Sequence, residues 1–228
     1  MIRSLSQEEF PSLLREIPDP PKALRYEGEL PIPGNKLLVV VGARKFTPYG
    51  KEVCESLIQG LSRYPVTIVS GLALGMDSIA HIQAMKAGLQ TIAVPGSGLA
   101  RNAIHPRSHR VLVEDILRNG GGLLSEYEDN MVYPGPWIFP KRNRIMAGMS
   151  HATIVIEAEN KSGTLITSRL ATEYNREVGT VPGRVDSPTS YGPHMLLRLG
   201  AALIRNSDDI LELLGLEKKE GYPTLFDK

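Results

Sequence analysis

Several things are scarce in this chain of 228 residues, and each scarcity excludes something. There is one cysteine, Cys54, so no disulfide can form within the chain. Its place in an amphipathic pattern suits a small core residue better than a reactive thiol. No apolar run approaches the length of a membrane span, and Met1 to Phe10 has no apolar core like that of a leader peptide. The reading is a cytoplasmic protein with no membrane partner. Net charge is also scarce, at +1, so any surface for an anionic polymer must be local.

Acid is locally missing. No Asp or Glu occurs from Asn130 through Ile156, where Phe139-Pro140-Lys141-Arg142-Asn143-Arg144 places three cations within four residues. Pro140 is expected to open a helix, with the cations in its first turn. Helix N-termini favour anions, so cations there make sense if an external anion docks among them. Ser78 to Val113 is a second acid-free stretch, carrying Lys86, Arg101, Arg107 and Arg110.

From Lys36 onward, short β-branched runs alternate with amphipathic stretches. Strands are expected at 37–42, 67–71, 91–95, 122–126, 153–157, 177–181 and 201–204, with helices between them. This alternation predicts an α/β fold: a Rossmann-like, doubly wound, mostly parallel sheet with helices on both faces, in a single domain. Residues 1–36 read as an extended or helical lead-in, 37–215 as the domain, and 216–228 as a solvated tail. In such sheets ligands bind beyond the carboxyl ends of the strands. Five loops there carry glycine: Gly42 with Arg44 and Lys45, Ser70-Gly71, Gly96, Lys161-Ser162-Gly163-Thr164, and Gly183 with Arg184. Glycine lets a backbone approach a phosphate closely, and the cations and hydroxyls add charge and hydrogen bonds. A dinucleotide signature and a P-loop are both absent, because Gly42 leads into Ala43-Arg44-Lys45 and Gly50-Lys51 into Glu52.

Five stretches, in order and spacing, resemble the DNA-processing protein A family. They are 41–44, 70–81, 139–150, 161–168 and 176–183, and the resemblance covers about residues 9–215. It implies a binder of single-stranded DNA, without catalytic turnover or cofactor. It also implies a homodimer that loads a RecA-type recombinase during natural transformation. By motif, Arg44, Lys141, Arg142, Asn143 and Arg144, with the loops at Ser70-Gly71 and Ser162-Gly163-Thr164, would hold the DNA backbone, and Phe139 would meet a base. Lys161 joins the phosphate-neutralising set. The sequence departs from the family in the absence of flanking helical and winged-helix domains, in Ala43 for a usual serine, and in His105-Pro106 for a usual Tyr-Pro.

Other groupings admit plainer readings. Asp77 with His81, and His105 with His109, have a spacing that suits a metal but no third ligand. Glu126 and Glu157 could form a carboxylate pair, although strand ends also recruit acids as hydrogen-bond acceptors. Trp137 and Tyr133 could be stacking platforms or loop anchors. Met195 to Leu199, with Ala201 to Ile204, could be a dimer surface or ordinary core. The alternative function is a LOG-like phosphoribohydrolase or a small-nucleotide sensor; Thr167 stands where such a hydrolase places its glutamate, and a hydroxyl cannot act as that base.

Overall fold

The computed structural model describes residues 1–133, 135 and 137–218. Nine strands form one sheet: β1 (Arg3–Leu5), β2 (Leu24–Gly28), β3 (Lys36–Val41), β4 (Val66–Ser70), β5 (Thr91–Ala93), β6 (Gly122–Ser125), β7 (Ala152–Val155), β8 (Glu177–Thr180) and β9 (Ala202–Leu203). Their order is β1-β2-β6-β5-β4-β3-β7-β8-β9. Every pairing from β6 to β9 is parallel. The two pairings made by β2 are antiparallel.

The helices are α1 (Ser12–Arg15), α2 (Pro48–Gly60), α3 (Met76–Lys86), α4 (Arg110–Arg118), α5 (Ile138–Met149), α6 (Thr164–Glu173), α7 (Tyr191–Arg198) and α8 (Ser207–Leu213). Alternation along β3 divides the core between two faces. Leu38 and Val40 pack with Leu57 and Ile58 of α2, Ala80 of α3 and Ile210 of α8. Leu37, Val39 and Val41 pack with Leu14 of α1 and with Ile145 and Met149 of α5. A buried side chain of this size contributes about 1.5–3 kcal/mol, so the central strand anchors both layers.

The sheet grows from β3 through β4, β5 and β6, then resumes at β7 on the other side of β3. The switch point therefore lies between β3 and β7, where their carboxyl ends part and leave a crevice.

Two expectations need correction. The first 36 residues are not merely a lead-in, because β1 and β2 extend the sheet past β6. β2 carries Leu24 and Tyr26 into the core between exposed or half-buried neighbours, an alternation too short to stand out beside the prolines. The second concerns α5, which begins at Ile138, so Pro140 is its third residue. The first turn has no intrahelical acceptor for its N–H groups, so proline is tolerated throughout it. The cations follow that first turn instead of filling it. Of the tail at 216–228, residues 219–228 lie outside the described residues.

Candidate nucleic-acid interface

At the switch point lies an open cleft of about 720 Å3. The β3–α2 loop supplies Gly42, Arg44 and Lys45; α5 supplies Phe139, Arg142 and Asn143; the loop into α6 supplies Lys161, Ser162, Gly163 and Thr164. Ten residues singled out in the sequence thus line one cavity. The loops are also tied to one another. Asn143 Nδ2 donates to the Gly163 carbonyl at 3.3 Å, and Thr164 Oγ1 donates to the Gly42 carbonyl at 3.1 Å.

The cations divide into two kinds. Arg44, Lys45, Lys141 and Lys161 are exposed, and none has an acidic partner within 4.0 Å among the described residues. Arg44 and Lys161 both line the cleft, from different loops. Lys141 lies outside its lining, with its Nζ 5.7 Å from the Trp137 ring.

Arg142 and Arg144 differ from the sequence expectation of free, phosphate-seeking cations. Arg142 is only 4% exposed, and its Nη1 donates to the carbonyls of Gly71 and Val94. Burial brings its pKa down to about 10, against the opposing pull of Asp77, so it stays charged at neutral pH. Burial lifts the Asp77 carboxyl above its ordinary range, against the charge of Arg142 and the N–H groups of Ala73 and Gly71. Arg142 lends the cleft positive field but works as an internal clamp on the loops after β4 and β5. Arg144 pairs with Glu126 and Asp19, and its side chain is 13% exposed. The helical period rotates it away from the cleft, toward the arm before β2.

Ser70 is also used internally, because its buried hydroxyl donates to the Val40 carbonyl at 2.7 Å. Gly71 and Gly96 line a smaller recess beside the main cleft, which Arg44 and Phe139 border as well. At the start of α6, the N–H of Thr164 goes to Ser162 Oγ, and those of Leu165 and Ile166 go to the carbonyls of Ser162 and Gly163. A phosphate here would meet Lys161 and the helix dipole more than bare amides.

Phe139 is half-buried, with the Arg44 guanidinium 4.6 Å above its ring. Tyr133 lies 5.4 Å from Phe139, and His105 stacks on Tyr133 at 4.2 Å with planes 12° apart. The sequence did not pair His105 with Tyr133, because they meet only when the loop after β5 folds against the loop before α5. Trp137 is 59% exposed.

The remaining groupings take structural roles. Glu157 accepts from Thr47 N at 2.9 Å, from Thr47 Oγ1 at 2.6 Å and from Thr189 Oγ1 at 3.0 Å, while Glu126 holds Arg144. Among the described residues, no group of three or more His, Cys, Asp or Glu could hold a metal. Thr167 is buried against the cleft. No helix of the described residues is long and apolar enough to cross a membrane.

Residues 1–215 match the model of a family described as DNA recombination-mediator protein A. This chain belongs to that family. The mediator family includes the protein Smf of Escherichia coli, 42% identical over 207 residues, which are 91% of this chain and 54% of the relative. The chain thus spans about half the length of that relative. Among solved structures, DNA processing protein A from Streptococcus pneumoniae superposes with a TM-score of 0.85 at 38% identity, over 92% of this chain and 74% of the other. The Helicobacter pylori protein of the same name gives 0.81 at 30%, over 94% and 95%. That second structure is described for its single-stranded DNA binding mode. Membership in the mediator family carries the doubly wound fold with it, and a DNA-processing role for its named relatives.

Proposed function

We propose that this chain binds single-stranded DNA across the switch-point cleft. The observation that carries this reading is that Arg44 and Lys161, exposed and without acidic partners among the described residues, line from different loops a cavity that also holds the half-buried Phe139. Cations that follow a backbone, beside a ring that meets a base, make a sequence-tolerant single-strand site. Lys45 lines the same cleft, and Lys141 lies outside its lining beside Trp137; both add exposed positive charge. The reading is one of binding without turnover; the carboxylate pair marked in the sequence, Glu126 and Glu157, is engaged with Arg144, Thr47 and Thr189.

The reading extends to a homodimer that delivers the strand to a RecA-type recombinase. The exposed Tyr191, Leu199 and Leu203 around α7 offer an apolar surface for the second copy. A Leu199→Glu variant is expected to halve the mass measured by sedimentation while keeping its DNA cleft.

The deciding experiment is fluorescence anisotropy of labelled oligo-dT across a salt series. The slope of log affinity against log salt is expected to be negative, at roughly 0.7 for each phosphate contact. Arg44→Glu with Lys161→Glu is expected to abolish binding and leave the thermal midpoint unchanged. Unaltered affinity in that double variant would remove the cleft from consideration.

A further inference from the structure

The rings of His105, Tyr133 and Phe139 form a continuous run from the cleft to the surface. Tyr133 stacks on His105 at 4.2 Å and leans on Phe139 at 5.4 Å. All three line the recess that contains Gly71, Gly96 and Arg44. No carboxylate lines that recess. His105 is exposed, so with Tyr133 on one face its ring still meets solvent. Arg44 borders both the recess and the main cleft, so a strand lying on Arg44 passes the mouth of the ring run.

We propose that His105 is a second base platform of the single-strand site and that DNA binding there takes up a proton on its imidazole. The proposal rests on the cleft being the DNA site. A flat ring stacked on another ring offers a base the same π-face that Phe139 offers, and imidazole alone among such rings gains a charge near neutral pH. In the free protein, burial first and the charge of Arg44 second hold the imidazole below its ordinary value of 6.5. It is therefore neutral at pH 7 when no strand is present.

The charged group acting on it is Arg44. Tyr133 faces its ring, and Arg107 and His109 flank it in the chain, His109 with Nδ1 2.9 Å from the Leu72 carbonyl. A bound strand offsets Arg44 and adds phosphate charge of its own. Both changes raise the imidazole's proton affinity in the complex above that in the free protein. Binding then strengthens as pH falls through the interval between the two values, by about tenfold for each pKa unit of displacement.

The test is oligo-dT anisotropy from pH 8 to pH 5.5 at constant ionic strength, with the wild type, His105→Tyr and His105→Ala. Tyrosine keeps the flat ring and does not titrate in this range. The wild type is expected to tighten as pH falls, His105→Tyr to hold a flatter profile with near wild-type affinity at pH 8, and His105→Ala to be weaker at every pH. Calorimetry at pH 6.5 in two buffers of different ionisation enthalpy should report proton uptake in the wild type that His105→Tyr lacks. Other histidines contribute equally to both proteins, so the difference between them reports His105. Equal pH slopes in the wild type and His105→Tyr, with both binding DNA, would overturn the proton uptake and leave the cleft standing. His105→Ala affinity equal to wild type at pH 8 would overturn the platform. A wild type that fails to bind oligo-dT at any pH and low salt would overturn both the proposal and the DNA reading.

Discussion

A β-carbon on Gly71 would stand 2.5 Å from Nη1 of Arg142. The guanidinium fills the space that any larger residue would need, and it cannot retreat, because the carbonyls of Gly71 and Val94 hold it from its own side. Gly71→Ala is expected to lower the thermal midpoint and weaken oligo-dT binding together. Arg142→Ala leaves the Gly71 and Val94 carbonyls without their donor and removes a charge that opposes the burial of Asp77, at a cost of about 1–3 kcal/mol. Urea unfolding measures this, and a midpoint within error of wild type would show that Arg142 is no clamp.

Arg144 provides a contrast on the same helix. Arg144→Ala removes the partner of Glu126 and Asp19 and is expected to cost about 2–3 kcal/mol in stability, below the value for a fully buried pair. The salt slope of DNA binding should stay unchanged. A slope lower by one phosphate contact would put Arg144 back among the DNA-facing cations.

Phe139→Ala is expected to weaken oligo-dT binding by about 1–3 kcal/mol, the worth of one stacked base. Phe139→Trp should retain most of the affinity. The readout is again anisotropy, at one salt concentration, and an unaffected Phe139→Ala would leave the ring a support for Arg44 only.

His81 supplies a stability switch independent of DNA. It is fully buried, and Thr91 Oγ1, which donates to the Ile68 carbonyl, lies 2.7 Å from its Nδ1. The hydroxyl proton is thus taken, so Nδ1 donates to Thr91 and Nε2 is left bare, as a neutral ring requires. Burial pushes its pKa down to about 3 from an unfolded value near 6.5. The folded value is the depressed one, so between these limits the unfolded chain binds the extra proton. Stability from this group is complete above pH 6.5 and drains away as pH falls toward 3. Midpoints measured from pH 7 to pH 4 should fall less steeply in His81→Gln than in the wild type.

The parallel sheet was legible because β3, β4, β5 and β7 are short, almost wholly buried runs rich in β-branched residues, with amphipathic stretches between them. The carboxyl-end loops followed from that, and ten of the marked residues meet in one cleft. Side-chain direction was not legible. Lys141, Arg142 and Arg144 look equivalent in sequence, yet the 3.6-residue period sends one to solvent, one under Gly71 and one to Glu126. The sequence could not show which face of α5 the cleft would occupy, because Pro140 suggested a later start than Ile138. β1 and β2 were hidden for another reason. The five-residue β2 is fixed by pairing with β6, a contact about 100 residues away, and the three-residue β1 by pairing with β2 in turn.

Gly148 on α5 packs against Leu14 and Ile17, and Arg176 Nη2 donates to the Leu13 carbonyl at 2.8 Å. The arm before β2 therefore lies under the helix whose other side carries Phe139 and Asn143. Site and arm share one helix, and any coupling that α5 carries between them acts equally in both directions. A strand seated on α5 should slow proteolytic clipping between Leu13 and Pro21, and a chain cut there should release its strand sooner. The first residues of the chain thus brace the back of the helix whose front faces the cleft.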